Sequence, residues 1–125
     1  MHYAKARFLF FVFLCSAGGL LGKQIEVIGY DTRGDATEAV NAVKRLTSQD
    51  KVVAILGPNA SGQAISISGV LEQMKVANIA TVATNPKVTV NDDGSVKPYN
   101  FRVCFIDPYQ GAVAAGYAAD KLSFT

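Results

Sequence analysis

The sequence contains no tryptophan, one histidine (His2, beside the start) and two cysteines, Cys15 and Cys104, in 125 residues. Each scarcity removes a class of chemistry. A structural zinc site needs about four ligands at characteristic spacing, which one histidine and two distant cysteines cannot supply. No spacing argues for a disulfide between the cysteines, and Cys104, set between Val103 and Phe105, reads as a small buried apolar residue. General acid–base catalysis needs a positioned His, Glu or Lys beside a nucleophile, and no candidate base stands near Ser61 in sequence. The expectation is a protein that is not an enzyme and carries no cofactor. Charge is also scarce. Lys and Arg total 12 against 10 Asp and Glu, interspersed, for a net +2, so the basic stripe of a nucleic-acid binder is missing. Long apolar runs are missing too. Phe8 to Leu14 is seven residues, far below the roughly 20 that cross a bilayer.

What is present is a globular balance, 50% hydrophobic and 18% charged, in a length that suits one domain and not two. Residues 1–16 stand apart from the rest. Lys5 and Arg7 precede Phe8–Leu14, and Cys15, Ser16, Ala17 and Gly18 follow. Basic, apolar, small is the order of a secretory signal. Leu14 before Cys15 is too large for a lipoprotein cleavage site, so acylation is not expected. The same aromatics and Val12 would also suit a buried first strand.

From Gly22 onward strands and helices alternate. Gln24–Tyr30 reads as a strand. Asp35 opens a helix, with Glu38 three residues on as in a capping box, and Ala36, Ala39, Val40, Val43 and Leu46 at helical spacing. Val52–Leu56 is an unbroken apolar run, the pattern of a central parallel strand covered on both faces. Gly57-Pro58-Asn59 ends it. A second helix is expected over Ser61–Met74, with Ile65, Val70, Leu71 and Met74 inward, then a strand over Asn78–Val82. Ala83-Thr84-Asn85-Pro86 is a loop, since a residue before proline resists helix. Asp92–Ser95 is a turn, Tyr99–Phe105 an alternating strand, and Asp107-Pro108 opens a last helix carrying Val113, Ala114, Tyr117 and Ala118. The sum is α/β, a parallel sheet with helices on both faces.

In such sheets ligands bind beyond the carboxyl ends of the strands. Three segments fall there: Gly57–Gln63, Ala83–Pro86 and Ile106–Gln110. The first joins small residues to a helix start, where unpaired N–H groups and the helix dipole favour an anion. Hydrogen bonds to a charged group contribute about 1.5–3 kcal/mol each, so a few can hold a carboxylate without Lys or Arg. Ser61 could instead simply cap its helix. Thr84 offers a hydroxyl and an N–H, or is an ordinary turn threonine. Asp107 and Gln110 suit a cap and a first helical turn. The segment GPNASGQA has the G-x-x-x-x-G spacing of a phosphate loop, but Gln63 and Ala64 stand where Lys and Ser or Thr are required, which argues against a nucleotide.

Four segments in order, AGGLLGKQIEV, VVAILGPNASGQA, IATVATNPKVT and NFRVCFIDPYQGAVAA, resemble the leucine/isoleucine/valine-type binding proteins of ABC transporters, over about Ala17 to Leu122. The resemblance implies a type I periplasmic-binding-protein fold, two α/β lobes closing over an amino acid, of which residues 17–125 would be an incomplete N-terminal lobe. It implies that Ser61, with the backbone of Ala60 beside it, and Thr84 bind the ligand carboxylate. It also implies that the Val82 carbonyl faces the ligand amine and that Asp107 lies at the lobe edge. The implied partners are a small amino acid and a membrane permease, in the periplasm or outside the cell. A strand and helix that precede AGGLLGK in the family are replaced here by residues 1–16. A ligand-sensing receptor domain of the same fold, and an inactive fragment, remain as alternatives.

Overall fold

A computed structural model describes Gly19 and residues 21–122 of the chain. The apolar start, Cys15 included, lies outside the described residues. The first helix, α1 (Ala36–Ser48), starts where the sequence placed it. Asp35 is its cap, and its Oδ1 accepts the Glu38 N–H at 2.9 Å. Ala39, Val43 and Leu46 are buried at the predicted helical spacing. Next come β1 (Ala54–Leu56), α2 (Ser61–Ser66), α3 (Ser68–Met74) and β2 (Ala77–Ala80). A single 3-10 turn (Pro86–Val88), β3 (Asn100–Arg102) and α4 (Asp107–Leu122) complete the order.

The three strands are all parallel, in the order β1-β2-β3, and the fold is α/β as the alternation predicts. Register sets two side-chain rows. Ile55, Asn78 and Asn100 are aligned, and so are Leu56, Ile79 and Phe101. Side chains alternate between faces along a strand, so the two rows face opposite ways. Ile55 belongs to one core with Ala39, Val43, Leu46, Ile67 and Leu71, which packs α1 and the α2–α3 pair onto that face. A smaller cluster of Ala64, Ala80, Ala83 and Val88 seals the carboxyl end of β2.

Several elements differ from expectation. β1 is an edge of the described sheet, not its centre, and Val53 and Leu56 are 92% and 77% exposed. Residues 24–30 form neither strand nor helix. A groove of about 720 Å³ is lined by Ile25–Tyr30 together with Val52–Pro58 and residues of α1, and residues 24–30 do not join the ladder of the described sheet. Tyr30 is instead tied by side-chain contacts, its hydroxyl donating to Asp50 at 3.0 Å and its ring lying 5.2 Å from the Arg45 guanidinium. The helix expected over Ser61–Met74 is two helices meeting at Ile67, which is fully buried, while Met74 is exposed. In β3 the faces are the reverse of an apolar-inward pattern. Asn100 is buried, whereas Phe101 and, just beyond the strand, Val103 are exposed. Cys104 is half-buried, with its Sγ 3.5 Å from the Ala83 carbonyl. The last helix forms from Asp107 as predicted, yet none of its residues is buried.

Candidate functional site

The carboxyl ends of the parallel strands bring three loops together. After β1 the chain turns at Gly57, whose φ of 101° is a conformation that side chains resist. The Gly57 N–H donates to the Ile79 carbonyl at 3.0 Å, which holds the first loop against β2. Asn59 Oδ1 accepts the Thr81 hydroxyl at 2.8 Å and makes a second tie between the same two segments.

Ala60 takes the cap position of α2 and has no side chain with which to cap. Ser61 is therefore the first helical residue, and its hydroxyl is not used as a cap. The first i to i−4 bond of the helix runs from the Ala64 N–H to the Ala60 carbonyl. The N–H groups of Ser61, Gly62 and Gln63 precede it and have no partner within the helix. Gln63 turns inward, its Nε2 donating to the Thr32 hydroxyl at 2.8 Å and to the Asp35 carbonyl at 3.0 Å. A glutamine at that place anchors α2 to the start of α1. A phosphate loop would carry a lysine there.

Ser61 Oγ accepts the Asn85 N–H at 3.3 Å, so the serine and the threonine loop are neighbours. Within that loop Asn85 Oδ1 accepts the Lys87 N–H at 2.9 Å, an Asx turn that opens the 3-10 turn. Thr84 sits between Ala83, which is buried, and Asn85. Its carbonyl accepts the Asp107 N–H at 3.1 Å, while its hydroxyl has no hydrogen bond to any described residue. The chain of contacts Ser61–Asn85–Thr84–Asp107 thus spans all three loops. Ser61 and Thr84 are half-buried, and Ala60, Val82 and Asp107 are exposed, Val82 to 58%. All five residues that the sequence singled out lie at this one end of the sheet, and none is sealed in the core. No group of three or more metal-ligating side chains occurs among the described residues.

Two residues that organise the site were not picked out from the sequence. Asn85 supplies the N–H to Ser61 and the side chain of the Asx turn, a role that Asn before Pro does signal. Arg102 donates from Nη1 to the carbonyls of Ala83 and Asn85, at 3.1 and 2.8 Å, and from Nη2 to the Thr89 hydroxyl at 3.0 Å. The one charged residue in the segment YNFRVCF, it is signalled in the sequence by that charge.

Residues 11–125 match the model of a family described as periplasmic binding protein. An amino acid binding protein of Pseudomonas aeruginosa is 33% identical over 107 residues, which cover 86% of this chain and 28% of that protein. A Leu/Ile/Val-binding protein of Rhizobium johnstonii is 32% identical over 100 residues, covering 80% of this chain and 26% of that one. Among solved structures, the substrate-binding protein LivJ of the Streptococcus pneumoniae branched-chain amino acid transporter, in complex with isoleucine, superposes with a TM-score of 0.83. It is 32% identical, and the match covers 96% of this chain and 33% of that one. This chain therefore spans between a quarter and a third of the length of these relatives.

Proposed function

The chain belongs to the periplasmic binding protein family, a family of binders rather than enzymes, and from that premise we propose that it carries one side of a clamp for a small amino acid in ABC transport. The likeness to proteins named for amino acid or Leu/Ile/Val binding, and to a structure holding isoleucine, supports this substrate class. The single observation that carries the site is the bond from the Asn85 N–H to Ser61 Oγ. It draws the start of α2 and the threonine loop to one spot. The Ser61 hydroxyl, which accepts from Asn85 and keeps its own proton to donate, the Gly62 N–H, the Thr84 hydroxyl and the Thr84 N–H can then converge on one carboxylate, each charge-assisted bond being worth about 1.5–3 kcal/mol. Ala60 borders that spot with its backbone. The Val82 carbonyl, two residues before Thr84, faces the ligand amine, and Asp107 marks the outer rim. The partner that accepts the loaded protein is a membrane permease, and the place of action is the periplasm.

Amide-resolved NMR of the chain titrated with L-leucine to millimolar concentration tests the site. Saturable shifts are expected at Ser61, Gly62 and Thr84. Ser61→Ala and Thr84→Ala should each weaken the response several-fold, as the loss of one charge-assisted bond requires. Shifts confined to residues elsewhere in the chain, or unchanged titrations in both variants, would remove the assignment.

A further inference from the structure

We propose that Arg102 is a positioning residue that aims Thr84 at the ligand, a role that rests on the reading of Thr84 given under Proposed function. The two carbonyls held by its Nη1 belong to Ala83 and Asn85, the residues on either side of Thr84. The peptide unit is planar and trans, so the N–H of Thr84 points opposite to the Ala83 carbonyl. Holding that carbonyl on the guanidinium turns the Thr84 N–H away from Arg102. The Asp107 N–H holds the Thr84 carbonyl, on the far side of the same residue, at 3.1 Å, and the grip on the Asn85 carbonyl holds the peptide that follows. Thr84 is thereby restrained through three consecutive carbonyls, while its own hydroxyl and N–H bond to nothing among the described residues.

The chemistry of the side chain fits this use. Guanidinium offers five donors in a rigid fork, and hydrogen bonds from a charged donor are roughly twice as strong as neutral ones. Arg102 spends its hydrogen bonds on the loop: Ala83, Asn85 and, through Nη2, Thr89. Among the described residues it makes no ion pair with a carboxylate. Lysine is a point charge on a flexible stem and cannot hold three acceptors in one plane.

The test uses the full chain with Arg102→Lys and Arg102→Gln, read by amide hydrogen exchange and by L-leucine titration. The Asp107 and Val88 amides, bonded to the carbonyls of Thr84 and Asn85, report the loop. The Val76 amide, bonded to the Leu71 carbonyl, reports the core. Both variants should exchange roughly tenfold faster at Asp107 and Val88 with Val76 unchanged, because a local opening free energy falls while the global one does not. The leucine-induced shift at Thr84 should vanish in both variants and the shift at Gly62 should persist, which a general loss of stability would not produce. Loop exchange unchanged in both variants overturns the proposal, and so does a Lys variant that restores the Thr84 response. If Val76 also accelerates, Thr89→Val, which removes only the Nη2 contact, decides: faster exchange in the loop than at Val76 supports the role, and equal change overturns it. An unsubstituted chain with no leucine response at Thr84 means instead that the site reading itself fails, and the positioning role with it.

Discussion

Among individual residues, the least expected are the two asparagines stacked in register on the covered face of the sheet. Asn78 is fully buried and Asn100 nearly so. Among the described residues, both polar atoms of the Asn78 amide, and the Asn100 Oδ1, have no hydrogen-bond partner. A buried polar atom without a partner costs about 1–3 kcal/mol. Ile55, in the same row, shows that an apolar side chain fits this face. Asn78→Val removes two unpartnered atoms while leaving its main-chain donor, which bonds the Tyr99 carbonyl at 2.8 Å, untouched. The substitution should stabilise the chain by about 1–2 kcal/mol, visible as a higher urea midpoint at unchanged slope. A lower midpoint would mean that the amide does find partners in solution.

At the scale of elements, legibility followed how local each signal was. α1 was readable because its cap, its first-turn acid and its apolar spacing all lie within the helix, and the Asp35–Glu38 bond forms as the pattern demands. The three loops of the candidate site were readable for a related reason, since parallel strands end where a buried apolar run meets Gly, Pro or Asn. The phase of β3 was not readable. The segment YNFRVCF alternates, but alternation fixes only which residues share a face, and a shift of one residue exchanges the faces. Here the covered face takes Asn100, and Arg102, two residues on and on the same side, reaches the carbonyls of Ala83 and Asn85. The missing strand at residues 24–30 was likewise invisible, because pairing depends on a neighbour that no local pattern describes. The break at Ile67 falls among Ser66, Ser68 and Gly69, weak helix formers that lower the preference for one continuous helix without dictating where it divides.

The end of α3 supports a prediction of its own. Its cap, Lys75, has φ 55° and ψ 40°, the left-handed conformation. Glycine adopts it without the strain a Cβ brings, and helices commonly end on glycine for that reason. Lys75→Gly should therefore stabilise by about 0.5–1 kcal/mol, measured as a shift in thermal midpoint relative to the unsubstituted chain. Its side chain is exposed, so little packing is lost.

For the molecule as a whole, what matters is how much of a ligand the described chain can surround. Among the described residues, α1, α2 and α3 pack on one face of the sheet. On the other, Leu56 and Phe101 are exposed to 77% and 52%, and α4 buries nothing. The candidate site has the same character, with donors along one wall and Ala60, Val82 and Asp107 open to solvent. Sites for small molecules commonly bury about 70–90% of the ligand surface, and one wall cannot do so. Three or four charge-assisted bonds at about 1.5–3 kcal/mol each face an association cost of about 4–15 kcal/mol. The two ranges overlap, so the bonds alone leave little net affinity, and even about 4 kcal/mol corresponds only to a millimolar dissociation constant. Isothermal titration of this chain with leucine, isoleucine and valine should accordingly give no micromolar binding, although millimolar ligand still perturbs the loop amides. A micromolar constant would mean that the chain encloses its ligand by itself, through a rearrangement of α4 or pairing with a second copy. A change in sedimentation on adding ligand would identify the second copy.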